Sequence, residues 1–320
     1  MKTQQLAPAT RHSPLPPDFD TVARVVQRLA VLMDAGIAPV SAWRHIAAAS
    51  PSPVVRDVVE RGIVERGAVG RELAEHLLDA RSLAPPAERA AWAALGAAWW
   101  VAVDAGAPLG PTLQRFAASL RSLAQSMRDV EVALAGPLAT SRIVLALPAV
   151  GLLFGVLLGF DAPRILVTTP PGWTCLVIGG LLILGGVRWN RRLLRAAGTT
   201  DTAPGLGLEL LAIAVSGGAS LDRARAAVNA ALREAGFATL GEEADAVLTF
   251  ACAAGVPAAA LLHAEAEELR RRARTDAQLR AAQLGTRLLL PLGVCILPAF
   301  VALGVAPIVI AILSSTVAQF

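Results

Sequence analysis

Val22, Val25, Val26, Leu29, Leu32 and Met33 fall on one stripe of a 3.6-residue helix. The stripe stops at Ala35-Gly36, and a second, alanine-rich helix follows in "APVSAWRHIAA". The same events return in "AVSGGASLDRARAAVNA", residues 214–230, around Gly218. Another corner is also doubled: "AVDAGAPLGPTLQRFAASL", residues 102–120, matches "ACAAGVPAAALLHAEAEEL", residues 251–269, with Gly106 over Gly255 and Pro108 over Pro257. A helix that ends and turns tolerates glycine at least cost in the left-handed position after its last turn. Pro39, Pro108 and Pro257 lie two or three residues later, where a fixed φ suits the first turn of the next helix. The pattern predicts antiparallel helix hairpins.

After Gly106 the apolar positions Leu109, Leu113, Phe116, Leu120, Leu123, Met127 and Val130 alternate steps of four and three, a coiled-coil-like seam that calls for a packing partner. The seam after Gly255 is weaker: Leu262, Ala266, Leu269, Ala273 and Ala277. Thirty to forty residues past each of these corners comes an apolar run with Leu-Pro, at Leu147-Pro148 and Leu297-Pro298, where proline kinks a span. The order of corner, corner, charged helix and apolar run thus occurs twice, and a long internal repeat of this kind dominates the reading of fold. The copies are unequal. Gly36 to Gly106 is 70 residues and Gly218 to Gly255 is 37, so the second copy lacks about one helix pair, present in the first as "PVVRDVVERGIVERGAVGRELAEHLL".

Three stretches approach the roughly 20 apolar residues that cross a bilayer. They are Ile143–Phe160, "WTCLVIGGLLILGGVRW" between Trp173 and Trp189, and the run from Leu288, after which no charged residue appears before Phe320. The two tryptophans would stand about 24 Å apart along a helix, suiting interfacial anchors. Arg142 precedes the first run, Arg188, Arg191, Arg192 and Arg195 follow the second, and Arg280 and Arg287 precede the third. Basic flanks stay in the cytoplasm, so the short loop "DAPRILVTTPPG" is expected outside and both long charged segments inside. Residues 90–103, "AAWAALGAAWWVAV", are too short to span and read as a buried core helix. Residues 246–264 are uncharged and compete as a fourth span that would return the C-terminus inside, but Gly255 and Pro257 cut them.

The expected fold class is therefore all-α: an integral membrane protein with two cytosolic antiparallel helical-bundle domains in tandem and three transmembrane helices. Its divisions are a disordered leader at 1–19, a first cytosolic domain at 20–141, spans at 142–160 and 173–189 around an extracytoplasmic loop at 161–172, a second, shorter cytosolic domain at 190–286, a third span at 287–313 and an extracytoplasmic tail at 314–320. Composition agrees. Hydrophobic residues make up 55% and charged residues 17% of the 320, and the mean hydropathy is +0.56, well above a soluble domain's.

Chemistry is sparse. Lys2 is the sole lysine, so no phosphate-binding loop with its lysine can exist in a folded segment, and the chain is not its own motor. His12, His45, His76 and His263 share no ligand spacing with one another or with Cys175, Cys252 and Cys295, so the histidines read as surface or hairpin positions and the cysteines as buried thiols. No catalytic residue, cofactor or metal is expected. Glu242-Glu243 and Glu267-Glu268 read as solvated faces. "RRRAR", residues 270–274, lacks interleaved aromatics, so it reads as a cytosolic charged helix and not as a nucleic-acid site; Arg270, Arg271 and Arg272 are candidates to dock an acidic partner or anionic lipid. Apart from Arg188 at the edge of the second, no charged residue lies in the apolar runs, which disfavours an ion-coupled transporter. The rival reading is a membrane transporter or membrane-embedded enzyme of unknown chemistry.

An apolar helix, Ala-Gly, a small or proline cap and an alanine-leucine helix, with a later Gly-x-Pro/Ser-Leu helix running into a Leu-Pro span, resembles the F-domain platform proteins of type II secretion and type IV pili. The alanine- and arginine-rich character is most similar to the tight-adherence (Flp) pilus branch, the TadB and TadC proteins. The resemblance covers residues 20–160 and 206–313. It departs in one place: where the family often has Gly-Glu before the second corner, this chain has Val103-Asp104 and Ala251-Cys252, so only Asp104 keeps an acid, and Asp104 is a candidate partner contact. The tandem layout resembles the type II secretion and type IV pilus form more than single-domain tight-adherence proteins. What the resemblance implies is a non-enzymatic platform in the bacterial inner membrane, N-terminus cytoplasmic, that couples a separate cytoplasmic ATPase to assembly of pilin or pseudopilin subunits. A second platform protein or a further copy of the chain, and membrane lipids, are the other implied partners.

Overall fold

The computed structural model describes residues 19–157, 168–197, 203–307 and 309–310. The leader expected at 1–19 lies outside the described residues apart from Phe19. So do most of the expected loop, the whole expected tail and the distal ends of the first and third spans. Among the described residues the chain is all-helical, with no strand. It divides into two compact units, residues 1–128 with 201–274, and residues 129–200 with 275–320.

The first unit contains both sets of corners. Helix α1 (Asp20–Asp34) turns into α2 (Pro39–Ala49). A short α3 (Pro53–Asp57) then passes into a π-helical stretch, Val58–Glu65, followed by α4 (Gly70–Ala80) and α5 (Arg89–Asp104). The long α6 (Leu109–Leu157) begins in this unit. The later half of the chain adds α8 (Leu206–Ser216), α9 (Leu221–Ala235), α10 (Glu242–Ala254) and the first part of α11 (Ala258–Arg287); α7 (Pro170–Ala197) belongs to the second unit.

α5 is the axis of the first unit. All twelve residues from Ala91 to Ala102 are buried, because α1 and α4 pack on it from the first half of the chain and α8 and α9 from the second. A helix covered on every side needs no polar face, which is why "AAWAALGAAWWVAV" is apolar throughout. α8 is covered in the same way, with Leu206, Leu208 and Leu210 through Ala214 buried. The helices at the edge are amphipathic instead. α1 buries Val22, Val25, Val26 and Leu29, with Leu32 and Met33 half-buried at its end. Trp43, Trp92 and Trp99 are among the largest fully buried side chains. The Trp43 and Trp99 rings lie 6.0 Å apart at 53°, within the range of tilted aromatic pairs. Trp99 Nε1 donates to the Gly70 carbonyl at 3.2 Å and Trp92 Nε1 to Glu88 at 3.2 Å. Along α6, Leu113, Phe116, Leu120 and Leu123 are buried; along α11 only Leu262 and Ala266 of the weaker seam are.

Residues 246–264 are not one helix. α10 ends at Ala254, Gly255 turns at φ +66°, and α11 starts at Ala258, so neither piece of that run is a single apolar rod. Two expectations need correction. Cys252 is exposed and Cys175 and Cys295 are only partly covered: α10 buries Ala244, Leu248 and Ala251 alone, leaving Cys252 on its outer face. His76 is not a surface residue. It is 7% exposed, with Nε2 3.0 Å from Asp57 Oδ2, clasping α4 to the end of α3.

In the second unit α7 carries, at Pro170–Leu193, the one helix among the described residues long and apolar enough to cross a bilayer, with mean hydropathy 1.6 and 17% of that window buried. Leu181, Leu184 and Ile178 are exposed along it, as are Trp173 and Trp189 near its ends. A Cβ at Gly179 would overlap the Leu303 side chain and one at Gly186 would lie 3.2 Å from Cys295 Cβ, so these glycines let the last apolar segment approach closely. In that segment Leu297–Phe300, with Pro298, stands between two π-helical stretches, Leu292–Ile296 and Val301–Val305.

Candidate functional site

The four corner glycines share one backbone device. Gly36, Gly106, Gly218 and Gly255 have φ of +84°, +68°, +86° and +66°. At Gly106 the glycine N–H donates to the Val103 carbonyl at 3.1 Å and the next N–H, of Ala107, donates back to Ala102 at 2.8 Å. The same double closure recurs at Gly36 (to Met33, and Ile37 to Leu32), Gly218 (to Val215, and Ala219 to Ala214) and Gly255 (to Cys252, and Val256 to Ala251). It satisfies carbonyls that a helix end leaves open. Pro108 and Pro257 sit just before the first residues of α6 and α11, their carbonyls accepting from Thr112 and Ala260 at 3.2 Å each. Gly236 closes α9 in the same way at φ +81°, a corner whose signal, Glu-Ala-Gly-Phe after an amphipathic stripe, was present in the sequence but had no counterpart to draw attention to it.

Three of these corners meet. A side chain at Gly217 would overlap the Ala105 carbonyl, which puts the turn after α8 against the turn after α5. One at Gly110 would overlap Asp34, which puts the start of α6 against the end of α1. Asp104, the last residue of α5, is exposed at this gathering.

Along the seam from there, α8, α6 and α11 close on a buried carboxylate. Glu209 is 3% exposed; its Oε1 lies 3.1 Å from His263 Nδ1 and its Oε2 3.2 Å from Arg270 Nη2. His263 Nε2 lies 3.4 Å from Arg115 Nη1. His263 Nδ1 donates to Glu209. Burial by itself raises the Glu209 carboxyl. The hydrogen bond and charge of His263, then Arg270, outweigh it and hold the group below its ordinary value of 4.5. Sequence reading missed Glu209 because it is a lone acid in an apolar helix; the burial of α8 was the signal that such an acid must be paired.

The three arginines separate. Arg270 turns inward to Glu209 and is 8% exposed, so it does not share the outer face of its two neighbours. Arg271 and Arg272 remain exposed and both pair with Glu268, Arg272 Nε at 2.7 Å, which holds the Glu268 carboxyl low, led by the Arg272 bond. Pro148 lies within α6 and Pro298 in the last apolar segment, so neither belongs to this site.

Residues 25–157 match the family described as type II secretion system (T2SS), protein F. The match supports the type II secretion F-domain family. The matched segment takes in the corners at Gly36 and Gly106, α5, and α6 to its last described residue. No curated protein and no solved structure matches the chain.

Proposed function

We propose that the protein is a non-enzymatic inner-membrane platform of a type II secretion or tight-adherence (Flp, type IV-like) pilus machine. In this reading it couples a separate cytoplasmic ATPase to assembly of pilin or pseudopilin subunits. The observation that carries it is the F-type segment at 25–157 running into apolar sequence. The largely uncovered apolar surface of Pro170–Leu193 supports a bilayer environment, since such a surface in water is strongly unfavourable. The three apolar runs support three spans, and the arginine asymmetry supports a cytoplasmic N-terminus with an extracytoplasmic C-terminus.

The gathered corners are the part suited to receive motion. Each is a short, doubly hydrogen-bonded turn between helices, so displacement of one helix is passed to the next instead of being absorbed in a loop. The charged stretch of α6 up to Arg142 and that of α11 up to Arg287 would carry it to the spans, with Pro148 and Pro298 as the flexible points there. Asp104, Arg271 and Arg272 are the exposed charges we assign to partner or lipid contact, and a second platform protein or a further copy completes the assembly.

The test is reconstitution with the cognate secretion ATPase. The two should co-purify, the platform alone should show no nucleotide hydrolysis, and reporters fused at Ala80 and Gly236 should read cytoplasmic while fusions at Thr169 and after Phe320 read extracytoplasmic. Hydrolysis that tracks the purified platform, or an outside signal at Gly236, overturns the reading.

A further inference from the structure

A cavity of about 600 Å³ opens over the buried Glu209 cluster, between α6 and the beginning of α11. Arg270 contributes to its lining with a guanidinium that is 8% exposed; one nitrogen serves Glu209, while the buried Nε has no hydrogen-bond partner. Leaving a buried donor unmade costs on the order of 1–3 kcal/mol, more for a charged group, so the site is built for an acceptor. Arg115 faces the cavity from α6 and, among the described residues, spends one long contact, on His263. Ser119, which is buried, and Ser122 add hydroxyls from the same face of α6.

The first turn of α11 closes the end of the cavity through Pro257, Ala259 and Ala260. The amino end of a long helix carries partial positive charge and unspent N–H groups. Two acids also face the space. Glu209 is already committed to His263 and Arg270, and Glu267 sits further along α11. Glu209 balances Arg270, which leaves Arg115, the helix amino end and the serine hydroxyls as donors facing the space, and no metal-holding cluster occurs among the described residues.

We propose that this cavity seats an oxyanion, a carboxylate or phosphate group, held by the Arg115 guanidinium with the serine hydroxyls beside it and by Arg270, whose covered Nε turns toward the cavity to meet it. The volume exceeds that of a lone ion, so the natural ligand carries the group on a larger body: an acidic side chain of a protein segment, or a small phosphorylated molecule. Arg115 and the serines come from the first half of the chain and Arg270 from the second, so occupancy ties the two repeats together at their seam. The proposal does not depend on the platform reading.

The experiment uses the full chain in detergent and follows its thermal unfolding midpoint against inorganic phosphate and against glutarate, with chloride at matched ionic strength as the control. A saturable rise with at least one of the two is expected. Arg115→Gln and Ser119→Ala should each raise the half-saturating concentration tenfold or more. Arg121→Gln, an exposed arginine on α6 outside the lining, should leave it unchanged. Arg115 is substituted in preference to Arg270 because removing Arg270 would leave Glu209 buried with a weaker partner. Tighter phosphate assigns a phosphorylated ligand and tighter glutarate a protein carboxylate. A rise no different from chloride, or an equal loss in Arg115→Gln and Arg121→Gln, overturns the site.

Discussion

The two halves of the first unit solve the same packing problem with different materials. The first fills its interior with Trp43, Trp92 and Trp99 and adds a helix pair whose polar clasp, His76 on Asp57, lies against the π-helical turn. The second has no tryptophan; it buries leucines and alanines such as Leu210, Leu232 and Leu262, and its centre is charged, with Glu209 held by Arg270 and His263. Arg81, at the end of the extra pair, donates to the Glu234 carbonyl at 3.1 Å, capping α9 of the second repeat. A shorter copy with small side chains is thus stabilised largely by what it packs against, and α5 is the surface both halves share. The lesson is that the two halves share one core, so weakness in the lean half is offset by the rich one.

The sharpest way to break this comparison is at the tryptophans. Trp99→Ala should cost about 4 kcal/mol, near the top of what large-to-small core changes cost, against about 2 kcal/mol for Leu262→Ala in the second repeat. Urea unfolding by circular dichroism reads both, and equal costs would erase the distinction between a tryptophan-filled and a borrowed core.

Next in size is the buried charge. Arg270→Met should destabilise by about 3 kcal/mol because Glu209 loses its guanidinium while still buried. The double variant Glu209→Leu with Arg270→Met should recover most of the loss, since an apolar pair of similar volume removes the uncompensated charge. Failure of the double variant to recover would mean that the pair is needed for shape and not for charge balance.

The same carboxylate gives a pH dependence. Its folded pKa is depressed, so its contribution to stability is fully present above the ordinary value of 4.5 and is lost as pH falls from there through the lower folded value. Wild type should therefore lose stability in that acid window more steeply than Glu209→Gln, measured as unfolding midpoints across pH. Parallel curves would remove Glu209 from the account.

Smaller effects separate the corners. Gly106 and Gly255 have open space where a Cβ would stand, so valine at either costs chiefly backbone strain, on the order of 1 kcal/mol. Their local costs should match. Only Gly106→Val sits in the gathering of corners, so it should reduce ATPase co-purification more than Gly255→Val while membrane levels stay unchanged. Smallest of all, Arg272→Gln should leave the unfolding midpoint unmoved, because its pairing with Glu268 is solvent-screened.

What the sequence determined by itself is what short-range physics determines. Positive-φ glycine caps, proline at helix starts and stripes at steps of three and four are consequences of local backbone sterics, and they were legible at Gly36, Gly106, Gly218 and Gly255 without any tertiary information. The uniform apolarity of residues 90–103 likewise announced a buried helix. Only the tertiary structure decided what buries it, namely α8 and α9 from the other repeat. Only it distinguished Arg270 from its neighbours Arg271 and Arg272, because the carboxylate that draws Arg270 inward lies on another helix, 61 residues away in the chain. Local pattern fixes where a helix starts, stops and turns its apolar face. Which face meets which, and which charge must find a partner there, is set by contacts between segments far apart in sequence, where periodicity carries no information.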